Sequence, residues 1–105
     1  MANNNIDGAH EHATIPDLIL LDLNLPRVDG LEVLRHLKSR SPMKVVPVIV
    51  FSTTQNQQHI RAAYEHMASC FISKPRDFDA YARICNSINT FWFKTATLAH
   101  VGTQR

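Results

Sequence analysis

From residue 16 the chain alternates short unbroken apolar runs with longer segments whose apolar residues recur every three or four positions. Residues 17–22 (DLILLD) are an apolar run between carboxylates, the pattern of a strand buried on both faces. Asp29-Gly30 marks a turn, and the segment after it sets Leu31, Leu34 and Leu37 on one stripe with Glu32, Arg35 and Lys38 off it. That spacing predicts a helix, which Ser41-Pro42 stops. Residues 45–51 (VVPVIVF) predict a second buried strand, with Pro47 tolerable only near its start or on an edge. A polar loop over 52–58 leads into a helix that would carry Ile60, Ala63, Tyr64 and Met67 inward. Residues 70–72 (CFI) predict a third strand, closed by Ser73-Lys74-Pro75. Asp77 or Asp79 can cap a last helix, whose apolar face would hold Phe78, Tyr81, Ile84, Cys85, Ile88, Phe91 and Trp92.

The two ends lack this patterning. Residues 1–15 show neither period and predict an irregular arm, while the polar stretch 96–105 predicts a flexible tail. Between them, three strand–helix units in series predict a parallel sheet with right-handed crossovers. In such sheets functional groups gather at the carboxyl ends of the strands. The polar residues ending the three strands are Asp22, Ser52 and Lys74. Neighbouring strands thus bring a carboxylate, a hydroxyl and an ammonium to one place.

Composition narrows the class without naming the chemistry. The 105 residues suffice for one domain, and 45% hydrophobic content can fill a core. A net charge of +2 is too weak to imply nucleic acid or a membrane surface. No apolar run approaches a membrane span and no leader pattern opens the chain, so a cytoplasmic location is expected. Cys70 and Cys85 read as reduced thiols serving as small buried hydrophobes. His10-Glu11-His12 lacks the further ligands a metal site needs. Arg27, Arg35, Lys38, Arg40, Lys44 and Arg61 are not interleaved with aromatics and read as a solvated face. Phe91, Trp92 and Phe93 exceed what one helix face can bury, so part of that trio is a candidate interface.

A strand-end carboxylate can attack phosphorus and form an acyl phosphate. Such transfer needs charge neutralisation more than acid–base catalysis, supplied by Mg²⁺, a fixed cation and donors to the phosphoryl oxygens. Lys74 offers the cation, and Ser52 or its neighbour Thr53 a donor.

The phrases LILLDLNLPRVDGLEVL, VPVIVFST and CFISKP resemble the receiver domain of two-component response regulators. The resemblance runs from Pro16 to about Phe93, and in detail it is most similar to single-domain receivers partnering phytochrome-type histidine kinases. It implies that Asp22 is the phospho-acceptor and that Asn24 offers its backbone carbonyl to Mg²⁺. Pro26, Asp29 and Gly30 match the turn that follows. By the same resemblance Ser52 binds the phosphoryl group, Lys74-Pro75 is the Lys-Pro pair joined by a cis peptide bond, and Phe71 is the aromatic switch residue. Phosphorylation would draw in Ser52 and its loop and turn Phe71 inward.

The chain departs from the family pattern in one respect. A complete receiver has two further β–α units before the phospho-acceptor strand, the first ending in an Mg²⁺-binding pair of carboxylates. Fifteen residues ahead of Pro16 are too few for these, and Asp7 and Glu11 are the only acids there. The expected fold is therefore α/β and flavodoxin-like, a receiver lacking its first two β–α units, with a three-stranded parallel sheet over residues 16–95. Mg²⁺ affinity should be weak or lost. The 17–22 strand should become a sheet edge, favouring homo-oligomers through that edge or the last helix.

The expected partner is a sensor histidine kinase, and the expected role is phospho-acceptance rather than enzymatic turnover. The alternative is a pseudo-receiver or fragment that binds protein without being phosphorylated. A phosphatase of the haloacid-dehalogenase type also uses a strand-end aspartate, but it wants a second carboxylate where this chain has Asn24, and a longer chain.

Overall fold

The computed structural model describes residues 15–40 and 42–99. Three strands alternate with three helices: β1 (Ile19–Asp22), α1 (Gly30–Lys38), β2 (Val48–Ser52), α2 (Gln57–Glu65), β3 (Cys70–Ser73) and α3 (Phe78–Ile88). A 3-10 turn at Met43–Val45 precedes β2, and helical winding of the wider π type carries α3 on through Asn89–Thr95. The sheet is parallel throughout, in the order β1-β2-β3. Asp22 lies opposite Phe51, and Ser52 opposite Ser73, so the three strands end at one level.

The central strand organises the core, because all five residues of β2 are buried. Val48 and Val50 face α1 and α2, packing with Leu34, Ala63 and Ala68. Ile49 and Phe51 face the other side and meet Ile88 of α3. An unbroken apolar run is what a strand covered on both faces requires. Phe51 also stacks on Tyr81 at 5.9 Å between ring centroids, seating α3 beside the site end of the sheet.

Each helix begins on a side-chain cap that the sequence carries. Asp29 Oδ1 accepts from the amides of Leu31 and Glu32, Asn56 Oδ1 from Gln58, and Asp77 Oδ1 from Ala80. Gly30 opens α1 directly against β1. A Cβ there would collide with the Leu23 side chain and stand 3.0 Å from Leu23 Cα. Lys38, the last residue of α1, donates to the carbonyls of Lys44 and Val46 at 2.9 and 2.7 Å, fixing the approach to β2.

Several expectations are corrected. The first strand is shorter than 17–22 and is not buried on both faces, since Leu20 is 53% exposed at the sheet edge. The second begins at Val48 rather than Val45. Pro47 has no amide to donate, yet its carbonyl takes the Ile19 amide, and Val45 sits exposed in the 3-10 turn. Tyr64 is half exposed with its hydroxyl on the Phe71 amide, and Met67 points outward because α2 ends at Glu65. Met67 then adopts φ 76° while its amide and that of Ala68 bond back to Tyr64 and Ala63. That is a Schellman closure with methionine in the position glycine prefers.

The inner stripe of the last helix is also narrower than expected. Ile84, Ile88 and Trp92, four residues apart, pack on the second cluster. Phe78 is 84% exposed, Phe91 52% and Tyr81 41%. Cys85 is exposed, being one position and about 100° off that stripe, whereas Cys70 is partly buried against the Ile49–Phe51–Ile88 cluster, so Cys70 packs on the core and Cys85 does not. The 1–15 arm, apart from Ile15, lies outside the described residues, as do Asp7, the 10–12 triplet and the tail beyond residue 99.

Candidate functional site

The strand order carries Asp22 and Lys74 to opposite edges of the sheet, with Ser52 between them. Lys74 lies one residue beyond β3, where its amide donates to the Ser52 carbonyl at 2.9 Å. This extends the ladder past the strand and turns the lysine stem back over the end of β2. The ammonium then meets Asp22, with Lys74 Nζ 2.6 Å from Oδ2. The pair is partly shielded, the side chains being 22% and 35% exposed.

The other carboxylate oxygen is also engaged, Oδ1 accepting from the Asn24 amide at 2.7 Å. The ammonium hydrogen bond chiefly, then this backbone donor, hold the Asp22 carboxyl below the usual carboxylate range, against the opposing pull of burial. The group is therefore an anion at neutral pH, the form a nucleophile requires.

Ser52 is 2% exposed, and its Oγ accepts from the Thr54 amide at 3.1 Å. The Thr53 amide donates instead across the gap to Asn24 Oδ1, at 2.8 Å. Asn24 thus touches two strand ends at once, with its backbone on Asp22 and its side chain on the loop after β2. An open cleft of about 360 Å³ runs beside them, with Asn24, Asp29, Gly30, Ser52, Thr54 and His59 among its lining.

Asp22, Ser52 and Lys74 therefore converge as the strand-end argument expects, and Asn24, singled out by the resemblance, lies beside Asp22. Phe71 stands apart, two strands from Asp22, partly buried against the Leu34–Val48–Val50 cluster. Its amide donates to the Tyr64 hydroxyl at 3.0 Å, so the outer edge of β3 is capped there by a side chain. The Asn24–Thr53 bond, the Tyr64 cap and the position of His59 on the cleft were not anticipated. Asn24 carried a signal, an amide side chain two residues past a strand-end aspartate. The Tyr64 contact carried none, because it depends on where α2 lies against β3.

Hard oxygen donors of the kind Mg²⁺ prefers are present in the Asp22 carboxylate and the exposed Asn24 residue. Among the described residues no group of three His, Cys, Asp or Glu side chains gathers to hold a metal ion. Among the described residues the oxygen donors at this strand end are thus the Asp22 carboxylate and those of Asn24.

A parallel sheet with a carboxylate, a hydroxyl and a lysine at its carboxyl end fits the receiver resemblance that the sequence carries. The family model described as the response regulator receiver domain matches residues 3–86, and the chain belongs to that family. The response regulator Rcp1 of Synechocystis sp. is 40% identical over 91 residues, covering 87% of this chain and 62% of that protein. Among solved structures, the phosphorylated cyanobacterial phytochrome response regulator RcpA superposes with a TM-score of 0.81 at 43% identity. That match covers 88% of this chain and 66% of the other. The Mn²⁺-bound form of Rcp1 gives 0.79 at 39% identity, with the same coverage. The chain thus spans a little under two thirds of the length of these relatives.

Proposed function

We propose that the chain acts in a two-component phosphorelay, accepting a phosphoryl group on Asp22 from a sensor histidine kinase. The observation that carries this reading is the 2.6 Å contact between Lys74 and Asp22, made by residues from opposite edges of the sheet over the buried Ser52. An Asp22 oxygen forms the new O–P bond as the donor's N–P bond breaks. The donor imidazole leaves with the electron pair and takes up a proton. Lys74 stays beside the new acyl phosphate, and the Ser52 hydroxyl and the Thr53 amide lie within the same strand-end cluster to donate to its oxygens.

Asp22 and the Asn24 carbonyl are the residues that would hold Mg²⁺. When bound, the ion neutralises charge developing on the phosphoryl oxygens. Weak Mg²⁺ affinity is the expectation, since no group of three His, Cys, Asp or Glu side chains gathers among the described residues, and the Mn²⁺-bound form of Rcp1 is a relative that takes up a divalent ion. The role is that of a signalling acceptor in the cytoplasm rather than an enzyme with turnover. Its kinase partner is inferred from the phytochrome response regulators it resembles. Lys74–Pro75 is read as the cis pair. Phe71 is read as the switch residue, one already partly packed inward, so that switching completes its burial.

The test is incubation with acetyl phosphate and Mg²⁺ followed by intact mass measurement. One phosphoryl increment, absent in Asp22→Asn and abolished by a chelator, is the expected result. A second reading, a pseudo-receiver that binds protein without phosphorylation, draws on both Asp22 oxygens being engaged. Folded wild-type chain that gains no mass would favour it.

A further inference from the structure

The contacts of Asn24 give it a role beyond lending a backbone carbonyl to a metal. Its side-chain Oδ1 occupies the Thr53 amide at 2.8 Å across 29 positions of sequence. Its own amide meanwhile holds Asp22 Oδ1 at 2.7 Å. With Lys74 on Oδ2, a single hydrogen-bonded chain runs Lys74–Asp22–Asn24–Thr53 and joins the ends of all three strands.

We propose that the Asn24 side chain is a latch on the loop after β2, holding the Thr53 amide until a phosphoryl group on Asp22 takes it. Asn24 is a positioning residue in this reading, acting through Thr53 rather than on phosphorus. The inference rests on Asp22 being the phospho-acceptor.

Phosphorylation would exchange one acceptor of the Thr53 amide for another. A phosphoryl group brings three acceptor oxygens and close to two negative charges to a place where Lys74 already serves the carboxylate. The Thr53 amide is then an available strong donor, since the Thr54 amide is folded back onto Ser52 Oγ at 3.1 Å. A charge-assisted bond to phosphate is roughly twice as strong as the neutral amide bond it replaces, so the exchange runs toward the phosphoryl group. Before phosphorylation Asn24 keeps the amide satisfied and the loop out of its phosphate-bound position. The loop thereby has two discrete partners, the requirement for a population shift.

The test uses the full chain and beryllofluoride, which coordinates a carboxylate and mimics its phosphoryl form. Two readouts are taken on wild type, Asn24→Ala and Asn24→Asp: water exchange of the Thr53 amide by NMR in the free protein, and beryllofluoride affinity. Removing the acceptor in Asn24→Ala should speed Thr53 exchange and tighten beryllofluoride binding, each by about two- to tenfold, the worth of one neutral hydrogen bond. Thr54 exchange should not move, because its acceptor is Ser52. Asn24→Asp keeps an acceptor and should restore slow Thr53 exchange, while its added charge weakens beryllofluoride binding.

Thr53 exchange unchanged in Asn24→Ala overturns the latch, as does an equal acceleration at Thr53 and Thr54. Faster Thr53 exchange in Asn24→Ala, with no beryllofluoride uptake by wild type, sustains the latch as a loop contact. That outcome counts against Asp22 as acceptor instead.

Discussion

Asp22 ends β1 and Lys74 follows β3, strands that are not neighbours in the sheet, yet their charged ends meet at 2.6 Å over the end of β2. The contact exists because the Lys74 amide continues the ladder onto the Ser52 carbonyl, aiming the side chain back across the sheet. Replacing Lys74 by Met should leave the fold in place and lower acetyl-phosphate-driven labelling by about a hundredfold, the usual cost of losing one preorganised charge donor. Lys74→Arg should not restore it, since a planar guanidinium does not reproduce a point ammonium at that position. Labelling rates of the two variants under one Mg²⁺ concentration check both statements.

The same pair sets a pH dependence. In the folded chain the Asp22 pKa lies below the ordinary aspartate value. Its ionised form therefore contributes stability that is fully present above that ordinary value and is lost as pH falls through the folded-state pKa. An NMR titration of the Asp22 carboxyl should show a midpoint below the ordinary value in wild type, moving upward in Lys74→Met. The stability difference between wild type and Asp22→Asn should shrink across the same acidic window.

Gly30 and Leu23 set the seat of α1 at the site end of the sheet. A Cβ at Gly30 would stand 3.0 Å from Leu23 Cα, and backbone cannot yield as a side-chain tip does. Gly30→Ala should destabilise the chain by about 1–3 kcal/mol, the range for overpacking a close contact. Denaturant midpoints of the two proteins measure this. Leu23 follows the acceptor directly, so labelling of Asp22 should fall as well.

Met67 offers a change in the opposite direction. At φ 76° after α2 it holds a left-handed conformation that costs a non-glycine residue about 1–2 kcal/mol. It is 65% exposed, so little packing is lost on removal. Met67→Gly should stabilise by about 0.5–1 kcal/mol once the greater freedom of glycine in the unfolded chain is offset. For a domain of this size the melting temperature should rise by about 2–8 °C.

Tyr64 and Phe71 give a further check. The Tyr64 hydroxyl accepts the Phe71 amide at 3.0 Å on the outer edge of β3. Tyr64→Phe should cost about 0.5–1.5 kcal/mol in thermal unfolding. It should also raise exchange at the Phe71 amide while leaving the β2–β3 ladder protected.

The strand ends are legible in the sequence because a buried parallel sheet puts its polar residues where the apolar runs stop. Asp22, Ser52 and Lys74 are each the first polar side chain after such a run, or one residue beyond it. What stayed hidden depends on rotation and reach rather than on spacing. Cys85 fits an apolar helical face by eye, but α3 turns the 84–88–92 stripe to the sheet and leaves Cys85 about 100° away, in solvent. Met67 reads as inward until the helix is seen to stop at Glu65. Lys38 reads as a solvated charge, yet its stem folds back so that the ammonium clamps two carbonyls ahead of β2. Periodicity assigns a face to a helix residue and says nothing of where a long side chain ends.

The proposed function stands or falls on Asp22 itself carrying the phosphoryl group. Treating the acetyl-phosphate-labelled chain with borohydride reduces an aspartyl phosphate to homoserine, which peptide mass spectrometry locates by position. Homoserine at position 22, dependent on Mg²⁺ and about a hundredfold slower to accumulate when Lys74 is replaced by Met, is the expected result. Homoserine at another aspartate, or labelled protein with position 22 still aspartate, would overturn the assignment.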